Sequence, residues 1–199
     1  MASTTATVDA QSPANPEIPG RAPAPGSLEL VRAFLNSVDL EAGEEDLTTP
    51  ASLGVWLIRR GLLPAGTQVD TNDLADALAL REAIRDVLGA HTGHPVDRGA
   101  NARLDRIAAG VPLRIRFSDG AHLKAEGAGI EVAIGRLLAA IHEGMNTGTW
   151  ERLKVCRSRT CRWAFYDASR NQSGAWCSMA ACGNRMKGRA FRSRRRAEA

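Results

Sequence analysis

The sequence predicts a mainly α-helical chain with one small β-hairpin, in which a helical N-terminal domain precedes a compact cysteine-bearing module that ends in a basic helix. Three observations carry this reading. Apolar side chains recur at three- and four-residue spacings through most of residues 27–148. The stretch PLRIRF at 112–117 instead alternates with the period of a strand. All 4 cysteines stand close together, at 156, 161, 177 and 182. With 199 residues, 44% of them apolar and 24% charged, the chain can bury a core and is not disordered throughout. No apolar run approaches the roughly 20 residues of a membrane span. The opening residues have neither the basic nor the apolar region of a secretory signal, so a cytoplasmic protein is expected.

Residues 1–26 hold five Pro and six Ala but too little apolar surface to offset the entropy of ordering, and read as a disordered leader. Ser27 then caps a helix, LELVRAFLNS, in which Leu28, Val31 and Leu35, with Leu30 and Phe34, form an apolar stripe. The acidic EAGEED breaks the pattern and reads as a loop. Thr49 caps, Pro50 opens and Gly61 ends a second helix at 50–60, with Leu53, Trp56 and Leu57 on one face. The third helix, at 72–90, is capped by Asp70, Thr71 or Asn72 and faces inward through Leu74, Leu78, Arg81, Ile84, Val87 and Leu88. A short helix over 97–109 turns Leu104, Ile107 and Ala108 to the core. In PLRIRF, Leu113, Ile115 and Phe117 share one side, and Ser118-Asp119-Gly120 turns the chain into a partner strand, AHLKAEG. An amphipathic helix at 130–148, stopped by glycine, completes a domain spanning 27–148.

The module at 149–199 has two C-x4-C pairs separated by 15 residues. Paired thiolates at short spacing suit a tetrahedral soft-metal site, and in a reducing compartment they point to zinc before disulfides or four ordinary buried thiols. The module is therefore a zinc-stabilised treble-clef or ribbon-like unit, with zinc supplying roughly 10–16 kcal/mol that so few apolar groups cannot. Four cysteine ligands (Cys156, Cys161, Cys177, Cys182) leave no open position, so the metal is structural. WAFYD reads as a strand and SRNQSGAW as its turn and return. Trp163, Phe165 and Trp176 form a small core, while Asp167 and Ser169 tie down the turn.

Charge is divided along the chain. Residues 1–150 carry 13 Lys or Arg against 19 Asp or Glu, whereas residues 151–199 carry 13 against 3. Such a split marks a polyanion-binding tail. Ser178 caps a C-terminal helix whose Met179, Cys182, Met186 and Ala190 face the zinc. Arg185, Arg189, Arg192 and Arg196 make a second stripe, widened by Lys187, Arg194 and Arg195. Guanidinium groups on a rigid helix match a phosphate backbone or a major groove. Arg170 and Asn171, in the loop between the pairs, are further candidates for contact with a base edge or phosphate.

The stretch WERLKVCRSRTCRWAFYDASRNQSGAWCSMAACGNRMKGRAFRSRRR closely resembles the CGNR-type zinc finger, through both cysteine pairs, the Phe165-x-Asp167-x-Ser169-Arg170-Asn171 run, Trp176-Cys177-Ser178-Met179 and Cys182-Gly183-Asn184-Arg185. Upstream, LVRAFLNSVD, the Trp56-Leu57 helix and LREAIRDVL are similar to the ABATE domain. The resemblance implies zinc on the four cysteines and a bacterial, stress-responsive transcriptional regulator. Many members have basic residues before the Trp-Cys pair, where this chain has Gly174-Ala175.

The expected function is a zinc-dependent DNA-binding regulator, not an enzyme, with a helical domain that senses a small-molecule ligand or pairs as a homodimer. An RNA- or ribosome-associated protein and a thiol redox switch are the rival readings. No H-E-x-x-H, deaminase signature, phosphate-binding glycine motif or nucleophile motif occurs. His91 and His94 read as cap interactions at a helix end. The acidic body is also expected to fold back and mask the basic tail.

Overall fold

Local signals start and stop most helices where the sequence places them. A computed structural model describes residues 21–118 and 120–197. Helix α1 (Leu28–Leu35) buries Leu28, Val31, Phe34 and Leu35. Ser27 does not cap it, since its hydroxyl donates to Glu143 at 2.6 Å. Helix α2 (Pro50–Arg59) opens on a reciprocal box in which Thr49 and Ser52 side chains each accept the other's backbone N–H, at 3.1 and 3.0 Å. Gly61, at φ +67°, ends it. Asp70 caps α3 (Thr71–Gly89) by accepting from Asn72 and Asp73. Helices α4 (Ala100–Ala109) and α5 (Ile130–Asn146) follow. Among the described residues no helix is long and apolar enough to cross a membrane.

Two expectations are corrected here. EAGEED is not a plain loop: β1 (Val38–Asp39) and β2 (Glu44–Glu45) pair antiparallel across it. The Asp39 carboxylate accepts from the Glu41 and Ala42 N–H groups, and Gly43 takes φ +74°. Strands of two residues are too short to leave an alternation in the sequence. The hairpin of β3 (Leu113–Arg116) and β4 (His122–Ala125) forms as expected, but Ile115 and Phe117 are 57% and 77% exposed. It is β4 that packs along α5, with β3 as the outer strand. There Gly135 lets the hairpin settle, because a Cβ would lie 2.7 Å from that of Ala125 and 3.3 Å from Leu113.

The core gathers α1, α2, α3 and α5 and continues without a break into β5 (Leu153–Val155) and β6 (Ala164–Tyr166), whose Leu153, Val155 and Ala164 are fully buried in it. The boundary near residue 148 is thus one of sequence, not of packing. Residues 1–20 of the expected leader lie outside the described residues. Its end is not free, for Ala24 is buried and Arg21 lies against the cysteine module.

Candidate metal centre and basic helix

Strands β5 and β6 pair with Leu153 opposite Tyr166 and Val155 opposite Ala164. The Cys156 N–H donates to the Trp163 carbonyl at 2.8 Å, which carries the ladder one step further. The first cysteine pair therefore sits at the base of a hairpin turn. That turn closes when Cys161 and Arg162 both donate to the Ser158 carbonyl, at 3.1 and 3.0 Å, with Arg162 at φ +47°. This corrects the expectation that the 15 residues between the pairs make the hairpin. The strand partner comes from before Cys156, and the returning segment is held by an Arg157 N–H to Ala175 carbonyl bond at 2.8 Å.

The second pair follows from a cap. The Ser178 hydroxyl accepts from Ala181 at 3.3 Å at the start of a π-helical turn, Met179–Gly183, from which Cys182 turns inward. A Cβ at Gly183 would meet Met179 Sδ at 2.8 Å and Trp176 at 3.4 Å, so glycine lets these side chains close over the turn. Met179 is 48% exposed, so it lies over this turn at the surface of the module and not against the sulfurs.

All four sulfurs are buried and lie within 4.8 Å of one another. Cys177 Sγ is 3.7 Å from both Cys161 Sγ and Cys182 Sγ. A tetrahedron with metal–sulfur bonds of about 2.3 Å has sulfur–sulfur edges of about 3.8 Å. The nest fits a tetrathiolate metal ion. Its electrostatics already favour one thiolate, because hydrogen bonds from Cys161 and Cys177 pull Cys156 down to about 2. The bond to Cys156 pushes Cys161 up to about 12, and burial raises Cys182. A cation is what would let all four deprotonate together. Arg185 donates to Cys182 Sγ at 3.1 Å, a hydrogen bond that offsets thiolate charge from outside the ligand set.

Behind the sulfurs, Asp167 organises the loop. Its carboxylate, with no exposed surface, accepts from Lys154 Nζ at 2.8 Å, Ser169 Oγ at 2.6 Å and the Gly174 N–H at 2.7 Å. Burial pushes its acidity the other way, yet these bonds outweigh it and hold the carboxyl well below the usual range. Gly174 is required here, since a Cβ would sit 2.7 Å from Asp167 Oδ2. Trp163 and Phe165 are buried beside the sulfurs and Trp176 packs on them.

Several side chains that sequence reasoning missed fasten this module to the helices. Asn36 acts as a strand partner for Ala164, donating to its carbonyl at 2.9 Å and accepting its N–H at 2.8 Å. Arg85, fully buried on α3, donates to the carbonyls of Leu35 and Arg162. Arg162 in turn pairs with Asp86 at 2.8 Å. His91, Thr92 and His94 donate to the carbonyls of Leu153, Val155 and Cys156 at 2.9, 2.9 and 3.0 Å, so the two histidines brace β5 instead of capping α3. Arg21 donates to the Cys177 carbonyl at 3.1 Å and stacks on Phe165 at 4.5 Å. The available signal was a basic residue inside an apolar stripe: Arg85 follows Arg81 by one helical turn on the inward face of α3.

Helix α6 (Asn184–Ala197) leaves the π-helical turn directly. Lys187, Arg189, Arg192, Arg195 and Arg196 are exposed along it, while the side chain of Arg194 lies outside the described residues. Arg185 is engaged differently, in a two-pronged pair with Glu41 that includes a bond at 2.8 Å. Arg170 and Asn171 are exposed on the loop that Asp167 holds.

Two protein-family models match the chain. The CGNR zinc finger model matches residues 152–195. The ABATE model, described as "Putative stress-induced transcription regulator", matches residues 27–145. No curated protein matches the chain. With more than half of its length matched by that second model and the finger following, the chain belongs to the ABATE family and carries a C-terminal CGNR zinc finger.

Proposed function

We propose that this protein holds zinc in its sulfur nest and uses α6 to grip DNA as a transcriptional regulator. The observation that carries the reading is mechanical. The cysteine nest fixes the start of a helix whose Lys187, Arg189, Arg192, Arg195 and Arg196 all face solvent. A tetrathiolate set favours zinc among common cations. Because four sulfurs complete the coordination, the metal shapes the site and takes no part in chemistry, so a binding protein is favoured over an enzyme.

The RNA reading relied on aromatic side chains stacking on unpaired bases. Trp163 and Phe165 are committed to the core beside the sulfurs, and Phe191 on α6, though 55% exposed, lies under the Arg195 guanidinium, so duplex backbone contact is the better use of the arginines. A redox switch is disfavoured in the loaded protein, where each thiolate is a ligand. Titrating salt against binding to mixed genomic DNA fragments tests the proposal. Each phosphate contact adds about 0.9 to the log–log slope, so four or five basic contacts give a slope near −4. Loss of binding on metal removal and recovery with zinc is the matching expectation; no duplex binding by zinc-loaded protein at low salt overturns the proposal.

A further inference from the structure

The two halves of the sulfur nest are fastened to the helices unequally. The first pair, Cys156 and Cys161, belongs to a hairpin gripped by Asn36 after α1, by Arg85 on α3 and by His91, Thr92 and His94 after α3. The second pair has fewer ties. Among the described residues, the side chains from outside the module that hydrogen-bond to 175–185 are those of Arg21 and Glu41. Glu41 holds the exposed Arg185, whereas Arg21 reaches a ligand directly. Its Nε donates to the Cys177 carbonyl at 3.1 Å and a terminal N–H donates to the Trp176 carbonyl. Neither carbonyl takes a hydrogen bond from another group among the described residues. The same guanidinium lies 4.5 Å over the Phe165 ring and 4.0 Å from the Asp167 carboxylate. The arm behind it is fixed, since Ala24 is buried in the helical core and donates its N–H to Glu29 on α1 at 2.8 Å. Arg21 stands before both family-matched regions.

We infer that Arg21 is a positioning residue of the metal centre, which latches the second cysteine pair to the rest of the molecule and sets how long the nest keeps its ion. The inference rests on the reading that the nest holds zinc. An ion leaves a tetrathiolate site by losing ligands in turn, and the ligands on the less tethered segment part first. The first pair moves only if β5 and β6 leave the core, where Leu153, Val155 and Ala164 are fully buried. The second pair moves with its own turn. Arg21 opposes that motion because it touches both halves, Phe165 on β6 on one side and Trp176 and Cys177 on the other. Donation to two carbonyls together with a ring-face contact is work for a planar guanidinium and not for a single ammonium.

The test uses the full-length, zinc-loaded chain without DNA, so its outcome is independent of any role for α6. Transfer of the ion to an excess of the chromogenic chelator pyridylazoresorcinol gives the release rate, and hydrogen exchange is read segment by segment. Arg21→Ala is expected to release zinc about tenfold faster or more, as when other groups that orient metal ligands are removed. Arg21→Lys keeps the charge without the fork or the plane and is expected to release zinc like Arg21→Ala. In both variants exchange is expected to quicken across 177–183 while α3 keeps its protection, a local change that a general loss of stability does not produce. The protection of α3 also shows that the variants fold. Release within about twofold of the wild-type rate in either variant, or exchange that quickens equally in α3, overturns the inference. Wild-type protein that takes up no zinc overturns the metal reading and the inference together, whereas a loaded wild type with unmoved variants overturns the inference alone.

Discussion

Replacing Asp167 by Asn removes one charge from the interior and leaves its shape, which isolates the electrostatic part of the loop behind the metal. Asp167 has no exposed side-chain surface, and its partner Lys154, 2.8 Å away, is 5% exposed. Stripping one member from a buried ion pair costs about 3–5 kcal/mol, mostly because the remaining charge is stranded. Lys154 keeps the carbonyls of Gln172 and Gly174 as acceptors, so the lower end of that range, about 3 kcal/mol, applies here. For a chain of this size that corresponds to a fall in Tm of about 10 °C. Thermal unfolding of the metal-loaded proteins measures it, with Lys154→Met and the double substitution completing a cycle. The double variant strands no charge and is expected to be more stable than Asp167→Asn alone. A loss below about 1 kcal/mol in the single variant, or a double variant less stable than either single, would refute the claim that the ion pair holds this loop.

The same carboxyl sets an acid limb. Its native pKa lies below the unfolded value of about 3.9, so the unfolded chain takes up more protons there and the stabilisation fades as pH drops below about 4. In denaturant titrations from pH 6 to pH 3, the gap between wild type and Asp167→Asn is expected to narrow at the acid end. Arg185→Ala removes the donor to Cys182 Sγ and is expected to weaken metal binding about 10- to 100-fold in chelator competition. Glu41→Gln alters only an exposed pair and is expected to leave metal affinity within about twofold. Arg189→Ala, Arg192→Ala and Arg196→Ala are each expected to reduce the salt slope of DNA binding by about one, and unchanged slopes in all three would reject backbone contact by α6.

What could be read from the chain was whatever repeats or is punctuated. Thr49-Pro50, Asp70 and Gly61 mark helix ends through local chemistry, and the spacing of the four cysteines identifies the nest. What escaped was long-range. Nothing near Asn36 or Arg85 says that one stands in for a β-strand and the other reaches two carbonyls from different elements, because their partners lie 128 and 77 residues away. The hairpin assignment failed for a related reason. AFY reads as a strand correctly, but its partner LKV precedes the metal turn, and a three-residue segment carries too little pattern to show which side it pairs on. Arg21 was placed in the leader because composition describes a segment on average, whereas a single guanidinium suffices to anchor it.

The missed contacts change how the finger must be studied. Sequence reading suggests removing residues 1–148 to unmask the basic tail. That cut would expose Leu153 and Val155, both fully buried against the helices, and would delete Asn36, Arg85 and Arg21 from the module. At about 2 kcal/mol for each large side chain, the hydrophobic loss alone is about 4 kcal/mol. Because metal binding and folding of such a module are one equilibrium, the loss appears as affinity, so an isolated 149–199 fragment is expected to bind zinc about a thousandfold more weakly than the whole chain in chelator competition. Equal affinities would mean that the helices merely adjoin the finger. With the loss in place, weaker DNA binding by the fragment would report an unfolded nest and would leave masking untouched. Masking is instead addressed by Glu41→Gln, which frees Arg185 from its partner in the acidic hairpin while keeping every buried contact.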